Sequence, residues 1–168
     1  MWYHHREVSF LMLKKQDALL KICFLLYCTA LLWILFFRRG YGYVDFESYP
    51  YWHQLADRFN LIPLITFLEQ LRSIFWDGDL TRRVAIRNLA ANLLLFMPMG
   101  AFLPLLWDKF RQFAFSIKSG FGIILIVELM QLFPLQGSFD IDDIVLNGFG
   151  FLIGYLIFRF WKSILKEN

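Results

Sequence analysis

The side chains best suited to chemistry are polar ones that interrupt long apolar runs. Glu128 and Gln131 lie three residues apart within the apolar run 120–135, so they share one face if this run is helical. An ionised carboxylate near the centre of a bilayer costs roughly 2.5–3.5 kcal/mol even on lenient insertion scales, so something must offset that cost. We expect the pair to face the interior of a helix bundle, either in packing hydrogen bonds or in a functional site.

A second set of polar residues follows at regular spacing. Asp140, Asp143, Asn147, Gly150 and Gly154 fall on one continuous stripe if the segment is helical. The aspartates could cap the start of this helix and gain from its dipole, or they could bind a ligand. The two glycines are predicted to serve helix packing, because they let a neighbouring helix approach closely.

These residues and an asparagine of another apolar run should meet at the outer end of the bundle. We predict a ligand-binding polar cluster of Asn92, Glu128, Gln131, Asp140, Asp142, Asp143 and Asn147. Such a density of carboxylates and amides could receive a polar headgroup or hold a hard cation. A divalent cation is therefore possible at the carboxylates, and no other cofactor is expected. The local run is not an EF-hand loop, since Val145 stands where the invariant glycine belongs.

Three arginines that precede the second apolar run are candidate anion contacts. Arg82, Arg83 and Arg87 carry guanidinium groups, which match a phosphate bidentately. They could instead pair with Asp77, Asp79 and lipid headgroups. No P-loop, GxSxG or HExxH motif accompanies them, so no reaction class follows from a local motif.

The elements that position these residues are apolar runs long enough to cross a membrane. The chain has 168 residues and is 58% hydrophobic, above the share usual for soluble domains. Four apolar runs, at about 18–37, 88–106, 120–135 and 144–161, are candidate spans. The first has about 20 residues, enough to cross about 30 Å of hydrocarbon, and the third is shorter. We therefore predict an all-α membrane protein, a bundle of about four transmembrane helices in a single domain over 1–168. Pro98 and Pro104 predict a kink in the second span.

The segment 38–87 is the longest part outside these spans, and we predict that it forms an outer loop. Within it, Leu61–Phe75 has an apolar face, with Glu69 and Arg72 at i, i+3. This pattern predicts an amphipathic helix that lies at the membrane interface or re-enters it, with Pro63 in its first turn.

The orientation follows from the distribution of lysines. All seven lysines fall in or beside the tails 1–17 and 162–168 or the connection 107–119 if both termini are cytoplasmic. The connection 136–143 then lies outside and carries three aspartates without a basic residue. We predict a multi-pass protein of the cell membrane. No basic run with interleaved aromatic residues suggests a nucleic-acid partner.

Three sequence blocks together resemble the VanZ-like family of bacterial membrane proteins. They are Asn60-Leu61-Ile62-Pro63, the segment 92–100 followed by Pro104, and Glu128-x-x-Gln131 followed by Phe139-Asp140-Ile141-Asp142-Asp143 through Asn147, Gly150 and Gly154. The resemblance spans roughly residues 18–160. It implies a multi-pass membrane protein and, for the family's namesake, reduced susceptibility to the glycopeptide teicoplanin through less drug bound at the surface. Many relatives resemble a pattern with an arginine shortly before the first aspartate, whereas this chain has Gln136-Gly137-Ser138.

Three functions remain open on the sequence. The first is binding of a lipid-linked cell-wall precursor or glycolipid at the polar cluster, which would lower glycopeptide binding and so contribute to antibiotic resistance. The second is a membrane enzyme that transfers or hydrolyses a group on such a lipid, with the carboxylates as acid and base. The third is a small transporter or assembly subunit, in which the glycines could support a homo-oligomer. Membrane lipids are partners in every case.

Overall fold

Helices form most of the structure, a computed structural model that describes residues 2–36, 50–56, 58–132 and 138–167. The helices are α1 Trp2–Phe36, α2 Tyr51–Ala56, α3 Ile65–Trp76, α4 Asp79–Leu95, α5 Met97–Leu106, α6 Phe113–Leu132 and α7 Ile141–Glu167. Two short strands, β1 Phe59–Asn60 and β2 Phe139–Asp140, pair in parallel, and a 3-10 turn at Asp108–Arg111 joins α5 to α6.

The predicted fold class is confirmed. Within the described residues, four helical segments are long and apolar enough to cross a membrane, namely Asp17–Phe36, Asp79–Leu106, Phe113–Leu132 and Ile141–Ile164. The chain is therefore an all-α membrane protein of four spans, and the strand pair is a local link between two segments.

The ends of the spans differ from the predicted ends because backbone hydrogen bonding extends helices beyond their apolar runs. α1 continues back to Trp2 through a segment predicted as a tail. α6 starts at Phe113, where 120 was predicted, because the link after α5 is only six residues long. α7 starts at Ile141, three residues earlier than predicted. Residues 37, 133–135 and 168 of the predicted segments lie outside the described residues.

The second span consists of two helices, as the predicted kink requires. It begins at Asp79, nine residues before the predicted start, and its regular α-helix is interrupted at Phe96. Pro98 occupies the first turn of α5, where its missing N–H removes no helical hydrogen bond. Tyr27 of α1 donates its hydroxyl to the Leu95 carbonyl oxygen at 2.7 Å, which satisfies a backbone group at the break inside the membrane.

The helix α7 is the centre of the bundle, since it packs against α4, α5 and α6 while α1 packs mainly against α5. The apolar core collects one or more side chains from each of the four spans: Leu31, Leu35, Phe96, Met99, Leu103, Ile124 and Phe151. Many other large apolar side chains on these helices are exposed in the isolated chain, as a lipid-facing surface requires.

Two glycines of α7 let its backbone touch that of the second span. A Cβ added at Gly150 would come within 1.9 Å of the Leu93 carbonyl oxygen, and one at Gly154 within 1.9 Å of the Met97 carbonyl oxygen. Backbone atoms cannot rotate away as a side chain can, so only glycine permits this approach. Both glycines are thus occupied by contacts within the chain, and they do not offer a surface to a second copy.

The predicted outer-loop helix is α3, which begins four residues later than expected. Leu64 has a left-handed backbone with φ 68°, and this turn separates Pro63 from the helix, so the proline is not in its first turn. α3 has no buried residue; it packs against α4 and contacts α7. Residues 38–49 of the predicted outer loop lie outside the described residues.

We predict that Gly150→Ala lowers the apparent unfolding midpoint in detergent, followed by circular dichroism, by the equivalent of about 3 kcal/mol. The reason is that the added methyl group overlaps a carbonyl group of α4. Gly122→Ala is the matched control: its new methyl group meets no atom within 4 Å, so the midpoint should stay unchanged or rise slightly. Equal midpoints for the two variants would contradict the backbone contact.

Candidate functional site

The polar residues gather where the loop before α3 meets the start of α7. Phe59 and Asn60 pair in register with Phe139 and Asp140, and the Phe139 N–H donates to the Arg58 carbonyl oxygen at 2.8 Å. This short parallel ladder joins the two segments on either side of the second and third membrane spans. It therefore fixes the segment before α3 against the first turn of α7.

Asp140 is the N-cap of α7, and its carboxylate also accepts hydrogen bonds from the segment around α3. One of its carboxylate oxygens accepts the Asp142 N–H at 2.8 Å, the contact expected of an N-cap side chain. The other accepts the Thr66 hydroxyl at 2.6 Å and the Asn60 amide at 3.3 Å. Asn60 also donates to the Thr66 hydroxyl oxygen at 2.6 Å. A helix cap by at least one aspartate was one of the alternatives that the sequence left open, and Asp140 provides such a cap.

Asp142 caps a different helix from its own. Its two carboxylate oxygens accept the backbone N–H groups of Leu64, at 2.7 Å, and Phe67, at 3.0 Å, at the start of α3. A carboxylate at this position satisfies two N–H groups that lack a helical partner and gains from the α3 dipole. It also holds Leu64 in its left-handed conformation, which costs about 1–2 kcal/mol for a residue with a Cβ.

The next polar contacts lie deeper in the bundle. Asn92 of α4 donates its amide to Asp143 of α7. One turn further along α7, the Asn147 amide donates to a carboxylate oxygen of Glu128 on α6 at 3.1 Å. Glu128 and Asn147 are only 4% and 3% exposed. Asn147 lies six residues, or about 9 Å, from the start of α7, which places the pair well inside the helical bundle.

Gln131 contacts a different neighbour. Its amide donates at 3.4 Å to the Leu35 carbonyl oxygen, in the last turn of α1. The last carbonyl groups of a helix lack a helical donor, so this contact helps to fix the end of α1 against α6. Gln131 shares a helix face with Glu128, as predicted.

The three candidate arginines lie on exposed parts of α4. Arg82 donates to the Ile74 carbonyl oxygen at 2.7 Å and lies 3.9 Å from the Asp79 carboxylate. Arg83 and Arg87 are about 180° and 140° away from Asn92 around the helix, so they do not share its buried face. Arg83 and Arg87 and the buried network are therefore on different faces of α4.

The carboxylates do not form a metal site among themselves. Across the parts of the chain that the structure describes, no three His, Cys, Asp or Glu side chains are placed to hold one ion. Asp140 and Asp142 use their oxygens on N–H and O–H donors of the protein. A divalent cation at this cluster stays a prediction.

Sequence reasoning missed two members of the network, Asn60 and Thr66. Asn60 stood in a recognised sequence block but had no assigned role, and Thr66 had no signal because hydroxyl groups are common in helices. Their contact with Asp140 joins positions more than 70 residues apart. The tertiary pairing of β1 with β2 creates this contact.

The amide oxygen of Asn147 is a buried acceptor of this network. Because the Asn147 amide nitrogen donates to Glu128, its carbonyl oxygen is directed elsewhere, and it is buried without a hydrogen-bond donor among the described residues. A buried polar atom left in this state costs about 1–3 kcal/mol. The site could therefore accept a hydroxyl or N–H group from a ligand beside the Glu128 carboxylate.

The chain is similar to a known protein family. A family model described as VanZ/LLP1 matches residues 24–162. No curated protein and no solved structure matches the chain. The matched range includes all the residues of the polar network.

We predict that Asp142→Asn destabilises the docking of α3, because the amide nitrogen cannot accept the N–H that one carboxylate oxygen accepts now. The expected loss is about 1–2 kcal/mol of unfolding free energy, with faster hydrogen exchange at Leu64 and Phe67. Asp79→Asn is the control, since Asp79 is exposed and makes only a long ion pair. Unchanged exchange at the α3 amides in Asp142→Asn would contradict the cap.

Proposed function

The chain belongs to the VanZ/LLP1 family, and from this premise we propose that it acts at the outer face of the cell membrane. There it binds a lipid-linked or glycolipid component of the cell envelope and thereby lowers the binding of glycopeptides such as teicoplanin. The ligand lies against the polar network at the start of α7.

The observation that carries this proposal is the buried Asn147 carbonyl oxygen without a donor, next to Glu128. A carboxylate and an amide oxygen accept hydrogen bonds, so they suit a ligand rich in O–H and N–H donors. Sugar hydroxyl and acetamido groups have this character. The hydrocarbon chain of the same molecule would lie along the exposed apolar helices, where membrane lipids lie already.

The depth of the network supports a ligand that arrives from the membrane. Asp143 and Asn147 lie one turn apart on α7 and reach α4 and α6, respectively. They extend the polar surface from the loop end of the bundle to about 9 Å inside it. A headgroup that enters between the helices could exchange these contacts without exposing the carboxylate to hydrocarbon.

The proposed orientation places this network outside. All seven lysines lie at or beyond the opposite end of the spans, and lysine and arginine are enriched in cytoplasmic connections. The N- and C-termini are then cytoplasmic. A protein that holds an envelope component at the outer surface changes what a glycopeptide meets there, and this alone would reduce drug binding.

The test measures which lipids co-purify with the full chain after gentle extraction from its native membrane. We expect one envelope lipid to be enriched on the wild type and reduced about tenfold on Glu128→Gln, since a contact to a charged acceptor is lost. Asn147→Ala should reduce it similarly. Glu69→Gln and Asn88→Ala are matched controls, because both residues are exposed.

Two outcomes would contradict the proposal. Equal enrichment on all five proteins would show that the buried network is structural. Conversion of a labelled envelope lipid by the wild type but not by Glu128→Gln would replace binding with catalysis of group transfer or hydrolysis.

The amount of teicoplanin bound to cells that express each variant should rise as the amount of co-purified lipid falls. It should remain low in cells that express the two control variants.

A further inference from the structure

A basic pocket lies at the end of the bundle opposite to the polar network. It has a volume of about 210 Å³ and is lined by Arg111, Phe158, Arg159, Lys162 and Ser163. Three of these five side chains are cationic, and none is acidic. We propose that this pocket binds a phosphate-bearing anion, either an anionic lipid headgroup or free phosphate.

The guanidinium of Arg111 is held in position before any ligand arrives. Its Nε donates to the Pro104 carbonyl oxygen at 3.2 Å, and one terminal nitrogen lies 2.5 Å from the exposed Asp108 carboxylate. The Arg111 carbonyl oxygen accepts the Tyr155 hydroxyl at 2.8 Å, which ties the 3-10 turn to α7. Because Nε and one terminal nitrogen of Arg111 are engaged in these contacts, the other terminal nitrogen can donate to a ligand. A guanidinium group that is already held in place loses little conformational entropy when it binds an anion.

The other two cations come from α7. Arg159 and Lys162 are three residues apart and so lie on one face of the helix, with Phe158 beside them. The Lys162 ammonium lies 5.9 Å from the Phe158 ring centroid, so a cation–π contact with this ring helps to hold the ammonium in place. Like charges that line one pocket repel each other, and a bound anion relieves this repulsion. Asp108 offsets only part of it, because an exposed ion pair is weak.

Two tryptophans indicate where this pocket lies relative to the membrane. Trp107 precedes the 3-10 turn and Trp161 precedes Lys162, and they are 41% and 62% exposed. Tryptophan is enriched at the level of lipid headgroups, so the pocket opens at that level. Its volume is smaller than the roughly 300–1,000 Å³ of pockets for drug-sized ligands, which suits a phosphate group and its immediate substituents.

The experiment uses the purified full chain in detergent and native mass spectrometry. The probes are phosphatidylglycerol, phosphatidylcholine with the same acyl chains, and inorganic phosphate. We expect the wild type to retain phosphatidylglycerol in preference to phosphatidylcholine. Lys162→Gln and Arg159→Gln should each reduce this retention about tenfold, because each removes one charge-assisted contact.

Lys118→Gln is the matched control, since Lys118 is an exposed cation on α6 in the same half of the bundle and does not line the pocket. The Lys118→Gln variant should retain as much phosphatidylglycerol as the wild type. The charge-preserving Arg159→Lys variant should retain most of this lipid. Equal loss in Lys118→Gln and Lys162→Gln would overturn the proposal, because general surface charge would then explain binding. No loss in either pocket variant would also overturn it.

The inorganic phosphate arm distinguishes the two sources of the anion. Displacement of phosphatidylglycerol by inorganic phosphate would support a site for the phosphate group itself, which free phosphate could fill. Retention of the lipid in excess phosphate would support a lipid headgroup whose chains contribute to binding. Because this pocket shares no residue with the polar network, its failure would leave the proposed function at the other end untouched.

Discussion

The backbone contact between α7 and the second span is the constraint on which the rest of the structure depends. At Gly150 and Gly154, carbonyl groups of α4 and α5 occupy the space that a side chain would fill. Apolar side chains gain little by leaving lipid for the bundle interior, so close packing and hydrogen bonds must hold these helices together. The same approach brings Asn147 and Asp143 of α7 within hydrogen-bond reach of the neighbouring spans. Without it, Glu128 would lose the hydrogen bond that it accepts from Asn147 inside the membrane.

The acidic residues that follow α6 have unequal roles. Asp140 and Asp142 cap helices and hold the start of α3 against α7, and their carboxylate oxygens accept hydrogen bonds from donors of the chain. Asp143 and Glu128 instead meet amide side chains deeper in the bundle. The first two therefore build the site, and the deeper layer is the part that could meet a ligand. The proposed binding function rests on this deeper layer, and its buried unsatisfied amide oxygen is the feature that a purely structural network would not require.

The two ends of the bundle differ in chemistry. One end carries caps, carboxylates and amides in a network that excludes solvent, while the other carries arginine and lysine around an open pocket. An acceptor-rich end suits neutral donors such as sugar groups, and a cation-rich end suits phosphate. Under the two proposals, a protein with this asymmetry would bind a sugar-bearing headgroup in one leaflet of the membrane and a phosphate group in the other.

The sequence by itself determined the class of the protein and the number of spans, and it singled out the polar residues inside those spans. This was possible because the cost of exposing polar groups to hydrocarbon leaves apolar runs of a fixed length, and rare polar residues within them stand out. Only the tertiary structure decided which distant segments these polar side chains contact. Asn60 and Thr66 contact Asp140 although 80 and 74 residues separate them along the chain. Asp142 caps α3 and not its own helix, and Gln131 contacts α1. The early start of α4 could not be predicted from the apolar run either, because helix ends follow backbone hydrogen bonding and packing against neighbours. Spacing along one helix predicts which side chains share a face, but it carries no information on which distant segment that face will meet.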